Sequence, residues 1–198
     1  MIVLLAPENP TISGGYLYNR YVTAEMPADR FMYLQLPAQK ADLQSFGVPS
    51  DATLLLDSLY FSTPEWVLDL HSRFHAALAM LVHYLPSLDP TLPPAAAEEL
   101  RQAETTCLSC CSQAVVTSAY MKSELERRAA REPEVLGKLS IAVARPGLGS
   151  SASVPEGRPG PAAVSIPAAV SKGPQRAASP AAHYKARPPG TALRLLTV

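Results

Sequence analysis

Short apolar runs alternate with longer mixed segments over roughly the first three quarters of the chain. Residues 2–6, 31–36, 53–56, 76–82, 113–117 and 139–144 are runs of a few residues each, bounded by proline, glycine or charged positions. Runs of this length that are apolar at successive positions read as strands buried on both faces, the pattern of a parallel sheet. The run at 76–82, rich in alanine and methionine, reads equally as a helix on propensity; its flanks decide for a strand. The intervening segments carry helical signals. Residues 16–26 are closed by Pro27, residues 38–46 suggest a short helix, and residues 64–71 have Pro64 in the first turn. In residues 95–111, Leu100, Ala103, Cys107, Cys110 and Cys111 recur at three- and four-residue spacing, an apolar stripe that Ala114 continues. Ser118 is placed to cap a helix over 119–131. Strand and helix in strict alternation predict an α/β fold: a Rossmann-like parallel sheet with helices on both faces.

Beyond residue 147 the pattern stops. Residues 148–191 are dominated by Pro, Ala, Ser and Gly, without apolar periodicity. Such a segment buries too little apolar surface to offset the entropy of ordering it, so a disordered Pro/Ala-rich tail is expected. Residues 192–198 read as one more strand. The expected organisation is a folded domain over 1–147, a low-complexity linker over 148–191, and the start of a second domain at 192–198.

Charge adds one asymmetry. The whole chain is neutral, with 17 Lys/Arg against 17 Asp/Glu, but residues 145–198 carry 7 Lys/Arg and a single acid, Glu156. A nucleic-acid arm is one reading of that tail. Its only aromatic is Tyr184 and its charges are thinly spread, so a solvated basic segment is expected and no nucleic-acid partner. The apolar start, residues 2–6, has no basic residue before it and ends at Pro7, too short for a signal peptide core. No run reaches the length of a membrane span. A cytoplasmic protein is expected, and three cysteines within five positions fit a reducing compartment. Cys107, Cys110 and Cys111 lack a second pair or a nearby histidine to complete a zinc site, so buried thiols are expected, with no metal and no cofactor.

Chemistry is expected where strands end, because ligands of open parallel sheets bind beyond the carboxyl ends of strands. Gly14 and Gly15, after Ser13, admit close approach of a ligand to backbone, and a following helix N-terminus favours an anion. A tight strand-to-helix turn explains them equally well. Asp57 ends the third strand and His83 the fourth. A structural role for His83 competes with a functional one. Ser118 is most simply a helix cap, Glu104 a solvated or cap-pairing acid, and His71 and His75 surface or second-layer residues. No nucleophile elbow, phosphate-binding loop or complete dinucleotide fingerprint is present.

Taken in order, these segments resemble family 4-type retaining glycosyltransferases of the two-Rossmann (GT-B) fold. The opening I-V-L-L-A-P and S-G-G-Y-L-Y-N resemble that family's first strand and glycine turn. L-L-L-D-S-L-Y resembles its third strand, with Ser58 where glycine is usual. L-V-H-Y-L-P-S-L resembles the segment that carries a histidine facing the cleft, and the stretch from Glu104 to Ser118 resembles its acidic helix, strand and Thr-Ser. I-A-V-A-R-P-G-L and L-R-L-L-T-V resemble the end of the first domain and the start of the second. The resemblance implies an N-terminal, acceptor-side domain of an enzyme that moves a sugar from a nucleotide sugar to an unidentified acceptor. It places His83 near the transferred sugar, as the catalytic residue. Gly14, Gly15, Asp57 and Ser118 line the donor-phosphate and acceptor cleft. Donor binding belongs to a second domain, here expected to be missing or supplied by a partner chain. The alternative expectation is a non-catalytic Rossmann-like binding domain.

Overall fold

In the computed structural model, the described residues are 1–8, 13–36, 43–74 and 77–146. The expectations for residues 148–191 and 192–198, and that for His75, lie outside them. Six strands form one parallel sheet: β1 (Ile2–Ala6), β2 (Phe31–Gln35), β3 (Thr53–Asp57), β4 (Leu78–Val82), β5 (Gln113–Val116) and β6 (Ser140–Val143). Their order across the sheet is β2-β1-β3-β4-β5-β6. The helices are α1 (Gly14–Glu25), α2 (Pro64–Arg73), α3 (Pro94–Ser109), α4 (Ala119–Arg131) and a short α5 (Pro133–Leu136) that the sequence pattern did not announce. The Rossmann-like α/β reading therefore holds, with all five pairings parallel.

Both faces of the sheet are covered, which explains the uninterrupted apolar runs. Val3, Leu5, Leu54, Leu56, Met80 and Val82 point to one side. There they pack with Trp66, Val67 and Leu70 of α2, Cys107 and Leu108 of α3, and Met121 and Leu125 of α4. Leu4, Phe31 and Leu81 point to the other, under Tyr18 and Val22 of α1. The alternation along each strand is the period of two that a pleated backbone imposes. The helix on one face follows β1, and those on the other follow β3, β4 and β5. The direction of winding therefore reverses between β1 and β3, and the crevice at their carboxyl ends is the switch point where such sheets bind ligands.

Element boundaries moved where side chains, rather than propensity, set them. The first helix begins at Gly14, not Tyr16, because the Ser13 hydroxyl accepts from the Tyr16 N–H at 3.2 Å and nucleates the first turn over both glycines. Residues 43–46 form a 3-10 turn, and the earlier part of the helix expected at 38–46 is outside the described residues. Among the described residues, no helix is long and apolar enough to cross a membrane.

The three cysteines are free and buried at the end of α3. Burial first, and then the neighbouring Cys110 thiol and the Glu65 and Glu104 carboxylates, push the Cys107 thiol up to about 12, and burial raises Cys110 and Cys111 as well. Thiolate is the reactive form. Iodoacetamide at neutral pH is therefore expected to leave Cys107 and Cys111 unlabelled in the native protein and to modify all three after denaturation. Rapid native labelling of either would mean that this end of α3 is not packed as described.

Glu104 is the clearest departure from expectation. It is not a solvated acid but a fully buried one. Its carboxylate accepts from the Ser87 N–H at 2.7 Å and the Ser87 hydroxyl at 2.6 Å, and pairs with Arg128 Nη1 at 2.6 Å. Arg128 in turn reaches Glu124 at 3.0 Å and the Ser87 hydroxyl at 2.8 Å. This network joins α3 and α4 to the 3-10 turn at Pro86–Leu88, which follows His83 by only a few residues. Burial alone would raise the Glu124 carboxyl. Hydrogen bonds from Arg127 and Arg128 outweigh burial and hold it below the ordinary range.

Candidate functional site

Three residues named from the sequence, Gly15, Asp57 and His83, converge at the carboxyl ends of β1, β3 and β4. Asp57 closes β3, with 1% of its surface exposed, and its Oδ1 accepts from the Leu59 N–H at 2.8 Å, capping the 3-10 turn Ser58–Ser62. His83 immediately follows β4, and its backbone N–H donates to the Ser58 hydroxyl at 3.3 Å. The His83 ring lies against Gly15: a Cβ built on that glycine would stand 3.0 Å from His83 Cδ2. Around Gly14 there is open space, with nothing within 4 Å of such an added atom. The two glycines, paired in the sequence reading, therefore have different roles. Gly15 makes room for the histidine, and Gly14 occupies the exposed first position of the helix.

The residue that ties the site together is Asn19, which sequence reasoning passed over. It stands one turn after Gly15 on the same face of α1 and is 1% exposed. Asn19 Nδ2 donates to Asp57 Oδ2 at 2.6 Å, and Asn19 Oδ1 lies 3.3 Å from His83 Nε2. His83 Nε2 is also 3.4 Å from Asp57 Oδ2. A polar residue four positions from a glycine, on the helix face that carries Val22, was the available signal. Tyr18 sets its ring edge-on to His83 at 5.3 Å between centroids, and its hydroxyl donates to the Ala144 carbonyl at 3.1 Å. Burial raises the Tyr18 hydroxyl above its ordinary range, which keeps it a neutral donor.

Ser118 is not brought into this cluster through its side chain. Its hydroxyl accepts from the Met121 N–H at 3.1 Å, the capping role the sequence also allowed. The neighbouring Thr117 is the closer residue, donating its hydroxyl to the His83 carbonyl at 3.3 Å. His71 lies exposed on α2, away from the strand ends.

A shallow hollow beside the cluster is lined by Pro7, Tyr16, Asn19, Tyr33, Gln35 and Asp57 and has room for about one water molecule. It does not by itself enclose a small-molecule ligand. The Tyr33 hydroxyl on its wall is held above its ordinary range, first by burial and then by the Asp57 charge. Among the described residues, no Lys or Arg pairs with Asp57, and no group of His, Cys, Asp and Glu is arranged to hold a metal ion. The site is thus a buried carboxylate and a histidine beside a small, open, mainly apolar hollow. It offers hydrogen-bond acceptors and ring surface, and the Arg20 guanidinium lies 5.9 Å from the centre of the Tyr16 ring on its wall. In comparisons with known proteins, no family model, no curated sequence and no solved structure matches the chain.

Replacing each glycine by alanine separates the two positions. Gly14→Ala is expected to leave stability unchanged or raise it by up to about 1 kcal/mol, since alanine is the better helix former. Gly15→Ala is expected to displace the His83 ring by a few tenths of an ångström and to forfeit that gain. Urea unfolding of both variants, with the His83 ring signals compared by NMR, checks this. Equal behaviour of the two would mean that the ring does not rest on Gly15.

Proposed function

We propose that residues 1–147 are the acceptor-side domain of a glycosyltransferase that moves a sugar from a nucleotide-sugar donor to an acceptor. The observation that carries the reading is the convergence of Gly15, Asn19, Asp57 and His83 at the switch point of the sheet, on segments whose order resembles family 4-type enzymes. In this reading His83 meets the sugar undergoing transfer. The hollow beside Asp57 receives a hydroxyl-bearing group of the acceptor, and the N-terminus of α1 faces the donor phosphates. In this reading most of the donor affinity comes from a second domain or a partner chain, and holding both substrates together is what accelerates the transfer.

The experiment is transfer and hydrolysis of a panel of nucleotide sugars by the 198-residue chain, with melting temperature followed for each. No turnover and no donor-induced stabilisation are expected from this chain alone. Robust turnover would overturn the acceptor-side assignment.

A second reading is supported by a separate observation. Leu17, Leu59, Tyr84 and Tyr120 are all well exposed, and each lies on α1 or within a few residues of the carboxyl ends of β3, β4 or β5. Apolar side chains gathered at one edge suit a surface that another module covers. A non-catalytic binding domain would use that edge without sugar transfer.

A further inference from the structure

We infer that Asp57, acting with Asn19, is a positioning residue that fixes His83 with its proton on Nε2, so that Nδ1 is presented to a ligand as a hydrogen-bond acceptor. Asp57 is buried, and its Oδ2 accepts a 2.6 Å hydrogen bond from the Asn19 amide nitrogen, which fixes that side chain's orientation. The Asn19 oxygen is then left facing His83 Nε2 at 3.3 Å. The second neighbour of Nε2 is again an oxygen, Asp57 Oδ2 at 3.4 Å. A ring nitrogen facing two acceptors has to donate, and in a neutral imidazole the other nitrogen then accepts.

Ring geometry places that acceptor where it can be used. The Cδ2–Nε2 edge is turned to Gly15 and Asn19, so Nδ1 is on the far side of the ring. Among the described residues Nδ1 has no hydrogen-bond partner, and 14% of the side chain remains exposed. An accepting nitrogen backed by a buried carboxylate suits a hydroxyl, which donates, and disfavours an ionised phosphate oxygen, which cannot. The site is accordingly suited to a hydrogen-bond donor such as a hydroxyl at His83, with any ionised phosphate held elsewhere. The inference does not use the sugar-transfer reading. It is tested on the protein without substrate, so the two can fail separately.

The test is a long-range ¹H–¹⁵N correlation spectrum of the histidine rings in the full-length ¹⁵N-labelled chain at neutral pH, with His83 assigned by its loss in His83→Gln. The expected result is an unprotonated Nδ1 and a resolved, slowly exchanging Nε2 proton, both unchanged on addition of inorganic phosphate. Asp57→Asn, which replaces the charged acceptor by a weaker neutral one, is expected to speed exchange of that proton about tenfold or more. A proton on Nδ1, or conversion to imidazolium when phosphate is added, would overturn the inference. An Nε2 proton whose exchange is unchanged in a folded Asp57→Asn protein would remove Asp57 from the role. If that variant does not fold, the wild-type spectrum with and without phosphate still decides which nitrogen carries the proton.

Discussion

Arg128→Ala is expected to destabilise the domain by about 3–5 kcal/mol, the range for removing one partner of a buried ion pair. The reason is what remains. Glu104 is fully buried, and without Arg128 its charge keeps only the two hydrogen bonds from Ser87. At about 2–4 °C per kcal/mol for a domain of this size, the melting temperature should fall by roughly 6–20 °C. Replacing both members, as in Glu104→Met with Arg128→Met, is expected to be much milder, because the uncompensated charge is gone and the methionines fill similar volume. Calorimetry or urea unfolding of the single and double variants measures the difference. A single variant within 1 kcal/mol of wild type would mean that the network is not buried in solution. Acid acts on the same network. Because the Glu124 carboxyl is held below its ordinary range, its contribution is fully present above the unfolded value, about pH 4.3, and is lost as pH falls through the lowered folded value. Stability should therefore decline on acidification below about pH 4.3, and less steeply in Glu124→Gln.

His83→Ala is the second large effect, and it is one of function. On the proposed glycosyltransferase reading, with a donor-binding domain supplied, transfer is expected to fall on the order of 10²-fold or more, as when a positioned acid–base or hydrogen-bonding side chain is deleted. Stability should change little by comparison, since the ring covers Gly15 beyond the carboxyl end of β4 rather than filling the core. His83→Gln keeps a polar side chain but not the imidazole acceptor and should recover only part of the activity. Kinetics that leave turnover intact in His83→Ala would remove His83 from the transfer step. The same variant then becomes useful in another way, because ligand affinity at the exposed edge formed by Leu17, Leu59, Tyr84 and Tyr120 should not depend on it.

The alternation of apolar runs with helical segments determined the fold class. Strands buried on both faces must be apolar at consecutive positions, and the runs ending at Ala6, Asp57 and Val82 are strands in the structure. Asp57 and His83 were legible for a related reason: a polar residue that abruptly ends an apolar run marks the carboxyl end of a strand. Their partners were not legible. Asn19 looks like any polar helix residue until α1 is laid on the sheet and turns it toward Asp57. Glu104 and Arg128 are separated by a strand and belong to helices whose local patterns permit a solvent-facing position for each. Even the two glycines are equivalent in one dimension, and only His83, brought back from a distant strand, distinguishes them. Periodicity and propensity are properties of neighbours in sequence and are fixed by the chain itself. Burial of a charge, and the orientation of an amide or an imidazole, depend on groups that meet only when the sheet has formed.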